Sequence, residues 1–245
     1  MELTFNDFRK RAQNSNLSKW EKIGFPDSYR KETEKLIFDD IVLKLWLNKG
    51  SVNRILDIGC GCSNLVTFLI EFSNEFDKNL TLIDSKEMLD NIPKYLYKNH
   101  YNIITIAGYF PQIELIPDEK AQGFDAINVY SVIQIAFPEQ NIYKFIHKCI
   151  DLLKPNGRLL IGDIANVSAR ERFLKSEDGK NFQDNINTVP EKMRFQIENE
   201  ERIDDAVVLS ILHRFRNFGC ETYLMPQAPG LPLANRREDI LIIKR

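Results

Sequence analysis

Between Arg54 and Ile164 the chain repeats one pattern, a short apolar run followed by a stretch of helical periodicity, and few folds accommodate that repetition. Arg54 to Ile58 reads as a buried strand. Asn64 to Phe76 reads as a helix, with Leu65, Phe68, Leu69, Phe72 and Phe76 on one face. Leu80 to Asp84 is a second strand, and Lys86 to Ile92 starts another helix. Asn102 to Ala107 and Phe124 to Tyr130 supply two further strands. Ile142, Phe145, Ile146, Cys149, Leu152 and Leu153 mark a helix that Lys154-Pro155-Asn156-Gly157 ends, and Arg158 to Ile164 follows as a strand. Strands separated by helices form a mainly parallel sheet with both faces covered, and its ligands lie beyond the carboxyl ends of the strands.

The flanks differ from this pattern. Ile37, Ile41 and Leu45 form the stripe of a helix expected over Asp27 to Asn48, capped by Asp27 or Ser28 and ended by Gly50. Phe5 to Tyr29 is expected to add one or two small helices, so residues 1–50 read as a helical cover and residues 51–245 as the main domain. Ile203 to Phe218 is a helix. Cys220 to Met225 and Asp239 to Lys244 follow with no helix between them, which predicts an antiparallel hairpin closing one edge. The stretch Ala165 to Arg202 is charged and weakly periodic, and reads as an insertion or long loop near the site.

Composition narrows the function. A 245-residue chain with 43% apolar and 28% charged residues can bury a sizeable core. Its net charge of −2 creates no field suited to a phosphate backbone, so a nucleic-acid partner is not expected. No signal peptide and no membrane-spanning run is visible, which places the protein in the cytoplasm as an expectation. Four cysteines, Cys60, Cys62, Cys149 and Cys220, read as core residues. Cys60-x-Cys62 has no second pair to complete a zinc site, so no metal is expected.

The chemistry concentrates in Asp57-Ile58-Gly59-Cys60-Gly61-Cys62-Ser63, where a strand enters a turn whose glycines admit a ligand to the backbone and Ser63 can cap the next helix. Asp84, ending the second strand, suits the hydroxyls of a ribose. A dinucleotide fingerprint would want glycine where Asn64 stands, and Asp57 would repel a pyrophosphate while suiting a cationic amino acid. An NAD-dependent oxidoreductase is disfavoured further because no tyrosine is followed by lysine four residues later.

Together with Phe124-Asp125 and Leu153-Lys154-Pro155-Asn156-Gly157-Arg158-Leu159, these residues resemble the class I S-adenosylmethionine-dependent methyltransferases over roughly Arg54 to Asp163. The resemblance implies a Rossmann-like α/β fold, a seven-stranded, mostly parallel sheet whose last strand is antiparallel, with helices on both faces. It implies S-adenosylmethionine as cofactor, with Gly59, Cys60 and Gly61 along its methionine part, Asp84 on its ribose, and Ser85 and Met88 flanking its adenine. The acidic residue common after the third strand is replaced by Gly108-Tyr109-Phe110, so Tyr109 and Phe110 are candidates for stacking on adenine. Tyr130 and Ser131 would line the methyl-transfer end.

The amino-methylating signature of Asn or Asp followed by two prolines and an aromatic residue is absent at Asn128-Val129-Tyr130-Ser131. His100, His147 and His213 read as surface residues. Asp163, ending the fifth strand, is the candidate base or acceptor anchor, with Tyr130 beside it. Arg30, Arg170 and Arg172, with Arg236 and Arg237 in the last loop, suggest a small anionic acceptor, and an already ionised oxygen needs no base. Glu21 to Arg30 and Ile161 to Ile164 resemble methyltransferases of bacterial surface-glycan pathways, which implies O-methylation of a sugar or phosphorylated precursor. A subunit that binds cofactor without catalysis is the alternative of a different class. The sequence leaves the oligomeric state open.

Overall fold

The structure, a computed structural model, describes residues 3–98, 100–113, 122–186 and 202–245. Seven strands form one sheet: β1 (Arg54–Ile58), β2 (Asn79–Asp84), β3 (Ile103–Ala107), β4 (Phe124–Tyr130), β5 (Leu153–Ile164), β6 (Glu221–Pro226) and β7 (Glu238–Ile243). Their order is β3-β2-β1-β4-β5-β7-β6. β1 to β5 pair in parallel, and β7 runs antiparallel between β5 and β6. The expected edge hairpin is therefore present, with β7 as its inner strand and β6 at the edge. Because β1 lies between β2 and β4, successive connections leave it in opposite directions, and a crevice opens at the carboxyl ends of β1 and β4.

Among the described residues the sheet is flanked by the α-helices α1 (Phe5–Gln13), α2 (Lys19–Lys22), α3 (Asp27–Arg30), α4 (Glu34–Leu45), α5 (Asn64–Glu75), α6 (Lys86–Leu89), α7 (Ile133–Glu139), α8 (Ile142–Leu152), α9 (Val167–Lys175), α10 (Glu177–Ile186) and α11 (Asp205–Asn217), and by a 3-10 turn at Lys94–Leu96. The alternation of side chains along each strand divides the core in two. Leu56, Ile58, Ile127, Val129, Leu159 and Ile161 pack beneath α7, α8 and α11. Ile55, Leu80, Leu82, Ala126 and Leu160 pack beneath α4 and α5 on the other face. Both faces are buried, as a parallel sheet requires.

Three expectations need correction. The helix expected over Asp27 to Asn48 is two helices separated by a turn at Lys31 to Thr33. Asp27 does not cap it, because Pro26 is the N-cap of α3 and Asp27 instead accepts from the Ser18 hydroxyl. α4 ends at Trp46, not Gly50: Trp46 takes a left-handed conformation (φ 58°), and its ring is sandwiched by the Lys49 and Arg158 cations. The stretch read as a loop contains α9 and α10, which Phe173 and Phe182 join by an edge-on ring contact with centroids 5.6 Å apart. The rest of that stretch, residues 187–201, lies outside the described residues. No helix among the described residues is long and apolar enough to cross a membrane.

Candidate functional site

The turn after β1 is built around two left-handed glycines, Gly59 (φ 71°) and Gly61 (φ 65°). A β-carbon on Gly59 would stand 2.4 Å from Val132 Cγ2, and one on Gly61 would stand 2.9 Å from Ile23 Cγ2. Both positions therefore need glycine on conformational and steric grounds. Ser63 caps α5 through the Leu65 N–H, which fixes where the turn ends.

Two carboxylates flank this turn. Asp57 and Asn128 are register partners on β1 and β4, and the Asn128 amide donates to Asp57 Oδ1 at 2.9 Å. Burial, with a smaller contribution from the Asp84 charge, pushes the Asp57 carboxyl up to about 7. Asp84 ends β2 and accepts the Gly61 N–H at 2.9 Å and the Ser85 N–H at 2.6 Å. Burial nevertheless raises it to about 6. Two desolvated acids beside one turn favour a ligand that brings positive charge.

These residues line a cleft whose empty space, open mouth included, is about 740 Å³. The sheet supplies Asp57, Asp84, Asn128 and Tyr130. The N-terminal helices and their connections supply Phe5, Phe8, Ile23, Phe25 and Arg30, and the segment after β4 supplies Ser131, Val132 and Ile135. Cys60 and Met88 also line it. Ser85 does not, and instead caps α6 through the Met88 N–H. Tyr109 and Phe110 stand aside too: Phe110 is buried against Phe145, and Tyr109 donates to Glu139 and packs on Phe5. The aromatic wall is thus Phe5, Phe8 and Phe25 with Tyr130, and the first three could not be found by an inspection of β-strand termini.

Two non-glycine residues take the left-handed region here, Ser131 (φ 60°) after β4 at the far end of the cleft and Asp163 (φ 57°) in β5 just behind it. Such conformations cost on the order of 1–3 kcal/mol each and persist where surrounding contacts fix them. Here the contacts are explicit. Ser131 Oγ donates to Asp163 Oδ2 at 2.5 Å, and Arg30 Nη2 donates to Ser131 Oγ at 2.6 Å and to Asp163 Oδ2 at 3.1 Å. Gln227 donates to Asp163 Oδ1 at 3.4 Å, and Arg237 Nε lies 3.9 Å from the same oxygen. Arg30 is 4% exposed, with its guanidinium 3.9 Å from the centre of the Phe25 ring. The Tyr130 ring crosses Gly162, where any β-carbon would come within 2.3 Å of it.

Asp163 and Arg30 are therefore brought together, with Asp163 facing a smaller cavity behind Arg30 and Tyr130 and not the cleft. Arg170 and Arg172 are not brought there. Both are exposed on α9, and Arg172 is paired with Asp205 at 2.5 Å. His100, His147 and His213 are exposed. All four cysteines are buried and free, and no cluster that could hold a metal occurs among the described residues.

With this geometry in view, comparison with known proteins is informative. Residues 55–157 match a family described as "Methyltransferase domain". No curated protein matches the sequence. Among solved structures, the plantazolicin methyltransferase BpumL, in complex with a monoazolic desmethylPZN analog and SAH, aligns with a TM-score of 0.59 at 14% identity, covering 98% of this chain and 97% of that one. The N-methyltransferase NodS from Bradyrhizobium japonicum WM9, in complex with S-adenosyl-L-homocysteine, aligns with a TM-score of 0.55 at 17% identity, covering 100% of this chain and 99% of that one. The S-adenosylmethionine-dependent methyltransferase SibL aligns with a TM-score of 0.55 at 17% identity over 96% of this chain and 64% of that one.

Proposed function

We propose that this chain is a class I S-adenosylmethionine-dependent methyltransferase and that it methylates a small acceptor on an acidic oxygen, such as a sugar acid or phosphorylated sugar of a surface-glycan precursor. In this reading residues 1–50 are the cover and residues 51–245 the domain that carries the turn.

The residues of the cleft suit the cofactor. Gly59, Cys60 and Gly61 would offer backbone to its methionine part, Asp57 would take the amino group and Asp84 the ribose hydroxyls. Asn128 Oδ1 is buried at this point without a partner among the described residues, an acceptor left for a ligand's donor. Bound there, S-adenosylmethionine supplies a methyl group made electrophilic by its sulfonium. Gly59→Ala adds about 1–2 kcal/mol of backbone strain to the collision with Val132. Calorimetry with S-adenosylhomocysteine is expected to show binding weakened at least about tenfold by that substitution. Undiminished affinity would move the ligand away from this turn.

One observation carries the acceptor reading: the candidate bases are already occupied. Both Asp163 oxygens accept hydrogen bonds, from Arg30, Ser131 and Gln227. Tyr130 is raised well above its ordinary value by burial and by the Asp163 and Asp239 charges, so it keeps its proton. Asp163 then acts as the anchor of Arg30, which retains Nε and Nη1 without hydrogen bonds among the described residues and can orient an anionic acceptor. The acceptor brings its own ionised oxygen, and the protein contributes position and exclusion of water.

The pH dependence of kcat/KM is expected to follow the acceptor's own pKa across a panel of acids. A profile with one invariant midpoint that disappears in Asp163→Asn would show a protein base instead. An amine acceptor is the second reading, favoured by the acidic cleft and by the likeness to NodS, an N-methyltransferase. Turnover of amines but not of acids in the same panel would select it.

A further inference from the structure

Away from the cleft, the loop between β6 and β7 brings Arg236 to a position that the chemistry above does not use. The loop turns at Leu233, whose carbonyl accepts the N–H groups of Arg236 and Arg237 at 3.0 and 2.9 Å, so two guanidinium groups leave one turn together. Arg236 inserts between α9 and α10, its guanidinium carbon 4.7 Å from the Phe173 ring centre and 4.3 Å from that of Phe182. Two aromatic rings thereby hold the fork in one orientation. Its Nη1 is buried and has no hydrogen-bond partner among the described residues. A buried charged donor left unmade is unfavourable, and such groups mark places where a ligand completes the bonding.

The surrounding charge points the same way. Burial, Arg237 and Arg170 all act against the Arg236 cation, and Tyr29 alone favours it. Among the described residues, no carboxylate acts on it. A basic cluster of this kind, preoriented and undercompensated, is built for an anion.

We propose that Arg236, with Arg170, forms a binding site for a compact oxyanion, a phosphate or carboxylate group, while Arg237, which donates to the Asp163 carbonyl at 3.2 Å and lies 3.9 Å from its carboxylate, adds only background positive charge. Its position fits an arm of the acceptor. Leu233 and Tyr29 line the small cavity behind Arg30 and Tyr130, so the site lies beside the methyl-transfer end without being part of it. This assignment rests on the acidic-acceptor reading only for the source of the anion; the site itself stands on the Arg236 geometry. It also revises the sequence expectation: Arg170 belongs to the anion-binding group, and Arg172, neutralised by Asp205, does not.

The test is titration of the full chain with inorganic phosphate, glucose 1-phosphate and glucose, followed by NMR or calorimetry, with S-adenosylhomocysteine titrated separately. Phosphate and glucose 1-phosphate are expected to bind and glucose not to bind. Arg236→Gln is expected to weaken the two anions at least about tenfold, as loss of a charge-assisted contact does. The exposed Arg170→Gln should weaken them less and Arg172→Gln not at all. Glucose 1-phosphate binding more tightly than phosphate marks an acceptor arm, and equal binding marks free phosphate; either supports the site. Absence of anion binding, or binding that neither Arg236→Gln nor Arg170→Gln changes, overturns it. S-adenosylhomocysteine affinity should be the same in all these variants. Its absence in the parent chain would refute the cofactor reading and leave the anion result to be judged alone.

Discussion

Replacing Arg30 with methionine is expected to cost about 3–5 kcal/mol of folding stability, the scale of leaving one member of a buried ion pair without the other. The guanidinium and the Asp163 carboxylate are 5% and 4% exposed at their side chains and 3.1 Å apart, so neither reaches water when its partner is removed; Arg237, whose Nε stays 3.9 Å from Asp163 Oδ1, holds the loss toward the lower end of that range. The loss is compounded because Arg30 also holds Ser131, and both strand-end residues it fixes are in left-handed backbone. Methionine can still pack on the Phe25 ring that the guanidinium now faces at 3.9 Å, so the change removes the charge and its hydrogen bonds with little loss of volume. Urea denaturation should show a lower midpoint with an unchanged slope. The double variant Arg30→Met with Asp163→Asn should recover part of the loss, since the stranded charge is gone. A loss under about 1 kcal/mol, the range of an exposed pair, would mean that the bridge does not tie the cover to the sheet.

What the sequence made legible was whatever depends on local repetition. β1 and β4 were read to the residue, because five and seven residues of near-continuous apolar character between polar turns have one comfortable conformation in a covered sheet. The glycine turn and Asp84 were legible for the same reason: Gly59 and Gly61 announce positive φ. The cover was not. Phe5, Phe8 and Ile23 reach the cleft through tertiary packing of α1 and the connection after α2, and nothing in their spacing separates a cleft wall from a core face. α7 was missed because Pro138 inside Ile133–Glu139 suggests an interruption, although it sits close to the helix end, where fewer backbone bonds are lost. α9 and α10 were missed because they carry few apolar residues and are held by the Phe173–Phe182 contact and the Arg236 stack. The role of Asp163 was half legible. Its place at a strand end was expected, but its engagement by Arg30 requires contact between residues 133 positions apart.

Asp57→Asn is expected to separate stability from binding, and to do so in a pH-dependent way. In the folded, ligand-free protein burial raises Asp57 to about 7, against an ordinary value near 4 in the unfolded chain. The folded state therefore binds this proton more tightly than the unfolded state. Its contribution to stability is complete below about pH 4 and is lost as pH rises through about 7, by an amount on the order of 4 kcal/mol. Asparagine can still accept from Asn128 but carries no charge to desolvate, so the variant should be more stable than the parent at pH 8, with the gap closing toward pH 5. Ligand binding should change in the opposite sense. S-adenosylmethionine brings positive charge to the acid, so the parent should bind it more tightly as pH rises from 6 to 8, and the variant should bind about ten- to a hundredfold more weakly at pH 8. Asp84, raised to about 6, leaves a shallower dependence at lower pH in both proteins. Thermal melts and calorimetry at pH 5.5, 7 and 8 measure both effects. Equal affinity in parent and variant at pH 8 would remove Asp57 from the ligand's contacts, and a parent melting above the variant at that pH would show that its burial is already compensated.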